Sequence, residues 1–87
     1  MSDDTLLEFP CDFPLKVMGR KADDFAALVV GLVESHSGPN AELRVSERLS
    51  RDGNFIALTV VVRAHSKAQL DAIYTELSAH ERVLMVL

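Results

Sequence analysis

The stretch from Phe55 to His65 constrains the fold of this chain more than any other feature. Its even positions are all apolar: Ile56, Leu58, Val60, Val62 and Ala64. Its odd positions are mixed, and a period of two with many β-branched residues is typical of a strand with one side in the core. Its length predicts a central position in a sheet, and an amphipathic helix pattern lies on either side of it in sequence.

The apolar spacing predicts two amphipathic helices, at Asp23–His36 and Lys67–His80. The first carries one apolar stripe, formed by Phe25, Leu28, Val29, Leu32 and Val33. The second buries Leu70, Ile73, Tyr74 and Leu77. Ser66 and Gln69 fit a capping box at its start. Gly31 inside the first helix predicts a close contact between that helix and the sheet.

Three further strands are predicted, at Phe13–Gly19, Glu42–Leu49 and Arg82–Leu87. The inward positions are Phe13, Leu15 and Val17 in the first, Leu43 and Val45 in the second, and Val83, Met85 and Leu87 in the last. The turn Ser50–Asn54 joins the second and central strands, because Asp-Gly and Gly-Asn tolerate positive φ.

The predicted order βαββαβ is that of an α+β, ferredoxin-like sandwich. We expect a four-stranded antiparallel sheet with both helices on one face and with the second and fourth strands at its edges. Residues 13–87 form this single domain, and residues 1–12 form an N-terminal arm that is flexible to extended and lies against the domain or a neighbour.

Composition excludes several classes of protein. The 87 residues suit one domain, and a net charge of −4 argues against binding nucleic acid by bulk electrostatics. The single Cys11 cannot form an internal disulfide, which fits a reducing compartment. The acidic N-terminus and the absence of a long apolar run argue against a signal peptide or a membrane span, so we expect a cytoplasmic protein.

Several short runs along nearly the whole chain form a recognisable pattern: the run Leu6–Pro10, Phe13, the run Lys16–Gly19, the run Gly53–Phe55, Tyr74, Glu76, Leu77 and the closing run Met85–Leu87. This pattern resembles the YbeD-like family of small, functionally uncharacterised bacterial proteins, and the opening block is its most specific part. The resemblance implies a fold similar to ACT domains, which bind small metabolites and regulate enzymes as dimers. Genes of this family often lie beside that of a lipoate-attachment octanoyltransferase, which implies a link to lipoate metabolism. The resemblance to this family implies no catalytic residue and no role for Cys11.

Strand alternation predicts an open sheet face with an apolar centre and cationic edges. The residues predicted there are Lys16, Met18, Arg44, Ser46, Arg48, Ala57, Thr59, Val61, Arg63, Arg82, Leu84 and Val86. Three interpretations of this face are open. It is an ordinary mixed surface, it is covered by the Leu6–Phe9 arm, or it binds a second copy of the chain or another protein. RNA binding is disfavoured, because Phe55 is the one aromatic residue available for stacking.

The loop Gly19–Arg20–Lys21–Ala22 before the first helix is a candidate site for a small anionic metabolite. Asp23 and Asp24 at the same helix end oppose a phosphate. The histidines His36, His65 and His80 share no metal-ligand spacing, and no cofactor is expected.

Our main hypothesis is therefore a non-enzymatic, regulatory or protein-interaction domain that self-associates or binds a protein, and that senses a small metabolite at Gly19–Ala22. The alternative is a hydrolase or transferase for a small anionic or acyl substrate, which would use Arg20 with Asn54 or His65.

Overall fold

The elements of the chain follow the predicted order, as a computed structural model of residues 8–38 and 43–87 shows. They are β1 (Cys11–Arg20), α1 (Phe25–Ser37), β2 (Arg44–Leu49), β3 (Phe55–Ala64), α2 (Lys67–Ala79) and β4 (Val83–Val86). The sheet has the order β2-β3-β1-β4, and every neighbouring pair is antiparallel. The ferredoxin-like prediction is confirmed, with β3 inside the sheet and β2 and β4 at its edges.

The core lies between the two helices and one face of the sheet. Its buried residues are Leu15, Val17, Phe25, Val29, Val33, Ile56, Leu58, Val60, Val62, Ala64, Leu70, Ile73, Leu77 and Val83. The odd positions of β1 and the even positions of β3 therefore point to the helices, as the alternation predicted. Burial of this apolar surface is the main stabilising contribution to the fold.

The sheet begins earlier in the chain than predicted. Strand β1 starts at Cys11 and pairs with β3 from Cys11–Ala64 to Arg20–Phe55. Cys11 and Asp12 therefore belong to the sheet and not to an arm. Phe9 is half-buried and packs against the core, whereas Leu6 and Leu7 lie outside the described residues.

The edge strand β2 is less protected than its pattern predicted. Val45 pairs with Val60 and so lies on the helix side of the sheet, but 41% of its surface is exposed. Leu43 is half-buried against the core, and Glu42 lies outside the described residues. All six residues of β2 are exposed, because the helices pack over the inner strands and leave this edge uncovered.

A β-bulge in β4 overturns the predicted inward positions of the last strand. Met18 pairs with Met85 but Gly19 pairs with Val83, so Leu84 is an extra residue in β4. Beyond the bulge the alternation is reversed. Val86 pairs with the buried Val17 and packs against the core, whereas Met85 lies with Met18 on the other face. The predictions of Met85 and Leu87 as inward and of Val86 as outward are therefore wrong.

Gly19, and not Gly31, is the glycine at a close contact. A Cβ at Gly19 would lie 2.5 Å from the Phe25 ring and 2.7 Å from the Arg82 carbonyl oxygen. A Cβ at Gly31 would meet no atom within 4 Å, so the predicted contact between Gly31 and the sheet is wrong. Strand β1 can approach the start of α1 because Gly19 has no side chain.

The start of α2 is capped, and the cap also joins the two helices. The Ser66 hydroxyl accepts a hydrogen bond from the Gln69 backbone N–H at 3.1 Å, as the capping box predicted. The Gln69 side-chain oxygen accepts from the His65 N–H at 2.6 Å, one residue earlier than the box requires. Its amide nitrogen donates to the His36 carbonyl at 3.1 Å, so one side chain joins the start of α2 to the end of α1.

Candidate interaction face

The face of the sheet opposite the helices carries the residues that strand pairing places there, which we call the open face. They are Asp12, Pro14, Lys16, Met18, Arg20, Arg44, Ser46, Arg48, Phe55, Ala57, Thr59, Val61, Arg63, Met85 and Leu87. Residues directly opposite each other in an antiparallel pair share a face, which fixes this assignment. No helix or strand among residues 8–38 and 43–87 covers the open face, since both helices pack on the other side.

The centre of the open face is largely apolar, and Thr59 and Lys16 interrupt it on the two inner strands. One row across the sheet runs from Arg48 through Ala57 and Met18 to Met85. The next row runs from Ser46 through Thr59 and Lys16 to Leu87, which exchanges two backbone hydrogen bonds with Lys16. A third joins Arg44, Val61 and Pro14. Met85 and Leu87 are 50% and 58% exposed, so the apolar surface reaches the β4 edge.

Asp12 holds two of the cations at one corner of this face. Its carboxylate lies 3.2 Å from the Arg63 guanidinium and 3.5 Å from that of Arg44. These pairs are exposed, so each adds little stability, but together they fix the orientation of two arginines across β1, β3 and β2. The prediction missed Asp12 because it began the first strand at Phe13. If the alternation of the first strand had been extended back to Cys11, Asp12 would have been placed on the open face.

Phe55 and Arg20 form the opposite corner. The two residues pair in the sheet, and the Arg20 guanidinium carbon lies 5.6 Å from the centre of the Phe55 ring. This is within range of a cation–π interaction. Arg20 therefore lies on the open face, and it occupies one side of the aromatic ring that a nucleic-acid base would need.

Lys16 and Arg48 are the cations of the open face without a partner among the described residues. No ion pair or side-chain hydrogen bond joins either of them to another group in residues 8–38 and 43–87. The two strands that carry them, β1 and β2, are separated by β3, a distance of about 10 Å across the sheet. The small side chains of Ala57 and Thr59 lie between them.

Arg82 is not on the open face, contrary to the prediction. It lies in the turn before β4, and its guanidinium donates two hydrogen bonds to the Asp24 carboxylate, at 2.7 and 3.0 Å. The Arg82 hydrogen bonds lower the pKa of Asp24, and Asp24 in turn raises the pKa of Arg82. This pair attaches the start of β4 to the start of α1. Leu84 is the exposed bulge residue, so the alternation that placed it on the open face does not hold there.

The residues of the loop Gly19–Ala22 make contacts on both sides of the sheet. Gly19 lies against the Phe25 ring, and Ala22 accepts a hydrogen bond from the Phe25 N–H. Arg20 lies on the open face, beside Phe55. Lys21 is exposed, and its backbone N–H is bonded to the Asn54 carbonyl. The anion site at this loop stays a prediction.

The enzymatic hypothesis combined Arg20 with Asn54 or His65, and the structure separates one of these two pairs. Asn54 directly precedes Phe55, the sheet partner of Arg20, so the pair of Arg20 and Asn54 stays a prediction. Arg20 pairs with Phe55 at one end of β3, whereas His65 follows Ala64 at the other end, about 30 Å away. Arg20 and His65 therefore cannot act on one substrate, and that part of the hypothesis is wrong. His36 bonds Glu76, and the His80 ring accepts from the Arg82 N–H.

The described part of the chain holds no group of three or more histidine, cysteine or acidic side chains that could bind a metal ion. Neither helix in it is both long enough and apolar enough to cross a bilayer. Cys11 is half-buried, and its thiol packs at the edge of the core beside Ala64.

Comparison with known proteins gives sequence relatives over nearly the whole chain. Residues 4–87 match the family described as "Protein of unknown function (DUF493)". A UPF0250 protein of Chromobacterium violaceum is 48% identical over 89 residues, covering 100% of both chains. The UPF0250 protein RSc0326 of Ralstonia nicotianae is 48% identical over 84 residues, covering 97% of this chain and 87% of the relative.

Solved structures share the fold at much lower identity. Protein HP0495 from H. pylori superposes with a TM-score of 0.77 at 16% identity, covering 100% of this chain and 94% of that one. The ACT domain from GTP pyrophosphokinase of Chlorobium tepidum gives a TM-score of 0.61 at 14% identity, covering 88% of this chain and 97% of that domain. At these identities the likeness establishes the ferredoxin-like, ACT-like fold alone.

Proposed function

Because this chain belongs to the DUF493 family, the UPF0250 or YbeD-like proteins that the sequence resemblance indicated, we propose that it is a non-enzymatic binding domain of regulatory type. It acts by docking another protein on the open face of its sheet. The two helices and the core then serve as a scaffold for the sheet that carries this face.

The exposed apolar centre of the open face carries this proposal. Ala57, Thr59, Val61 and Met18 lie side by side on the two inner strands and are only half-buried, with Met85 and Leu87 extending the surface to one edge. An apolar patch bordered by charges is characteristic of an interaction site. The two inner strands are paired with each other along their whole length, from Cys11–Ala64 to Arg20–Phe55, so the patch needs little ordering on binding.

The other hypotheses have less support from the geometry. Arg20 of the Gly19–Ala22 loop lies beside Phe55 on the open face, on the side of the sheet opposite α1, so we do not propose a metabolite site at the start of that helix. Catalysis by Arg20 and His65 is contradicted by their separation.

The first experiment compares protein capture by the wild type and by Val61→Glu. Val61 lies in the centre of the open face, so a carboxylate there removes apolar contact without touching the core. The immobilised domain is incubated with extract of its native cell, and bound proteins are identified by mass spectrometry. We expect specific partners to be retained by the wild type and lost by Val61→Glu.

Ala27→Glu is the matched control, since Ala27 is an exposed residue of α1 on the opposite side of the molecule. It adds the same charge and should retain the same partners. Equal retention by all three proteins would overturn docking on the open face, provided that circular dichroism shows all three to be folded.

A further inference from the structure

We propose that the occupant of the open face is an acidic protein surface with an apolar centre, and not a second copy of this chain. This inference rests on the proposed function and adds the chemistry of the partner. The charges of the open face determine which kind of partner it attracts.

Charge is strongly segregated in this molecule. The open face carries five cations, which are Lys16, Arg20, Arg44, Arg48 and Arg63, and a single carboxylate, that of Asp12. This face therefore has a surplus of four positive charges, although the whole chain has a net charge of −4. Away from the open face, the described residues 8–38 and 43–87 include four cations and nine carboxylates, a surplus of five negative charges. An acidic protein is attracted to the open face and repelled by the remainder, which orients its approach.

Two of these cations are available to a partner without loss of an existing contact. Arg44 and Arg63 bind Asp12, and Arg20 lies over Phe55. Lys16 and Arg48 have no such contact in the described part of the chain, and they lie on either side of Ala57 and Thr59. A partner that places an apolar side chain on this centre therefore has two cations within reach of its carboxylates.

A second copy fits this face poorly. A two-fold dimer brings the same patch of both subunits together, so its charges must complement themselves. Five cations facing five cations, with one carboxylate on each side, place like charges opposite each other over most of the contact. Like charges across an interface disfavour association. The apolar centre alone would have to offset this repulsion.

RNA also carries negative charge, but the open face lacks the groups that bind its bases. Domains that read single-stranded RNA stack bases on aromatic rings. Phe55 is the one aromatic residue that strand pairing places on this face, and Arg20 lies over its ring. The apolar centre instead consists of alanine, valine, methionine and proline side chains, which suit a protein surface.

The test uses a fluorescent random copolymer of glutamate and tyrosine as the acidic, partly apolar probe. Binding is measured by fluorescence anisotropy at about 50 mM salt and about 300 mM salt, between which screening of exposed charges increases markedly. We expect saturable binding that weakens at the higher salt, and weaker binding of polyglutamate, which lacks the apolar part. Arg48→Glu and Lys16→Glu should each weaken binding of the copolymer by about tenfold at low salt.

Lys67→Glu supplies the matched control, because it makes the same charge change in the first turn of α2, on the other side of the sheet. It should change the affinity by less than about twofold. No binding of the copolymer, or an equal loss in Lys67→Glu and Arg48→Glu, would overturn the acidic-partner inference. If Val61→Glu still abolished capture from extract in that case, the proposed docking function would stand.

Two further outcomes overturn the inference in favour of another occupant. A single-stranded RNA of mixed sequence that binds more tightly than the copolymer, and is displaced by it, would assign the face to RNA. Sedimentation of a wild-type dimer that Val61→Glu converts to a monomer would assign it to a second copy.

Discussion

Gly19 lies where β1, the start of α1 and the turn before β4 meet. The Phe25 ring and the Arg82 carbonyl occupy the space that a side chain would need. Phe25 is fully buried, and the Arg82 carbonyl belongs to the backbone, so neither can move away easily. The absence of a side chain at this one position sets how closely three elements pack.

Gly19→Ala should destabilise the protein and Gly31→Ala should stabilise it. The first substitution overpacks the contact with Phe25 and the Arg82 backbone, and we expect a loss of about 1–3 kcal/mol in the free energy of unfolding. The second replaces an exposed helical glycine that has open space around it, and we expect a gain of about 0.5–1 kcal/mol. Urea denaturation of both variants measures these changes. A Gly19→Ala protein as stable as the wild type would contradict the tight contact.

The Gln69 side chain joins the end of α1 to the start of α2. Its side chain accepts from the His65 N–H before α2 and donates to the His36 carbonyl near the end of α1. The carbonyls of the last helical turn have no partner within the helix, so this contact satisfies one of them from outside.

Gln69→Ala should lower the free energy of unfolding by about 1–2 kcal/mol, since it removes the hydrogen bonds of the side chain to the His65 N–H, the His36 carbonyl and the Ser37 hydroxyl. Ser78→Ala is the control, because Ser78 is an exposed residue of the same helix, and its effect should be within about 0.5 kcal/mol. Thermal and urea unfolding measure both. An effect of Gln69→Ala as small as that of the control would show that the link between the helices is not important for stability.

The sequence predicted elements well where local alternation decides the structure, as in β3 and in the odd positions of β1. It failed at β4, because a bulge depends on how the strand pairs with Gly19 and not on its own residues. Arg82 was misplaced for a similar reason, since its partner Asp24 is 58 residues away in the chain. The open face was predicted in outline. Asp12 and the Arg20–Phe55 contact became visible only with the strand register.

Across the whole molecule, the inner strands β1 and β3 are more deeply buried than the edge strand β2. Strands β1 and β3 are paired on both sides and supply much of the core, whereas every residue of β2 is exposed. Regions with few buried apolar contacts open at lower free energy than the core.

Amide hydrogen exchange should reflect this difference. We expect the hydrogen-bonded amides of β2 to exchange at least about tenfold faster than those in the middle of β1 and β3, as measured by NMR. Only hydrogen-bonded amides are compared, because the unpaired amides at the edge of the sheet exchange fast whatever the stability of the strand. Equal rates in the three strands would mean that the sheet opens only as a unit.

The bulge at Leu84 sets which groups the chain presents at its end. Side chains of a strand obey an odd–even parity, so one extra residue interchanges the two sides for everything that follows. Because Leu84 is the extra residue, Met85 and Leu87 extend the apolar surface of the open face, and Val86 packs against the core. Were the strand regular, Val86 would lie on the open face, and Met85 and Leu87 would point towards the core.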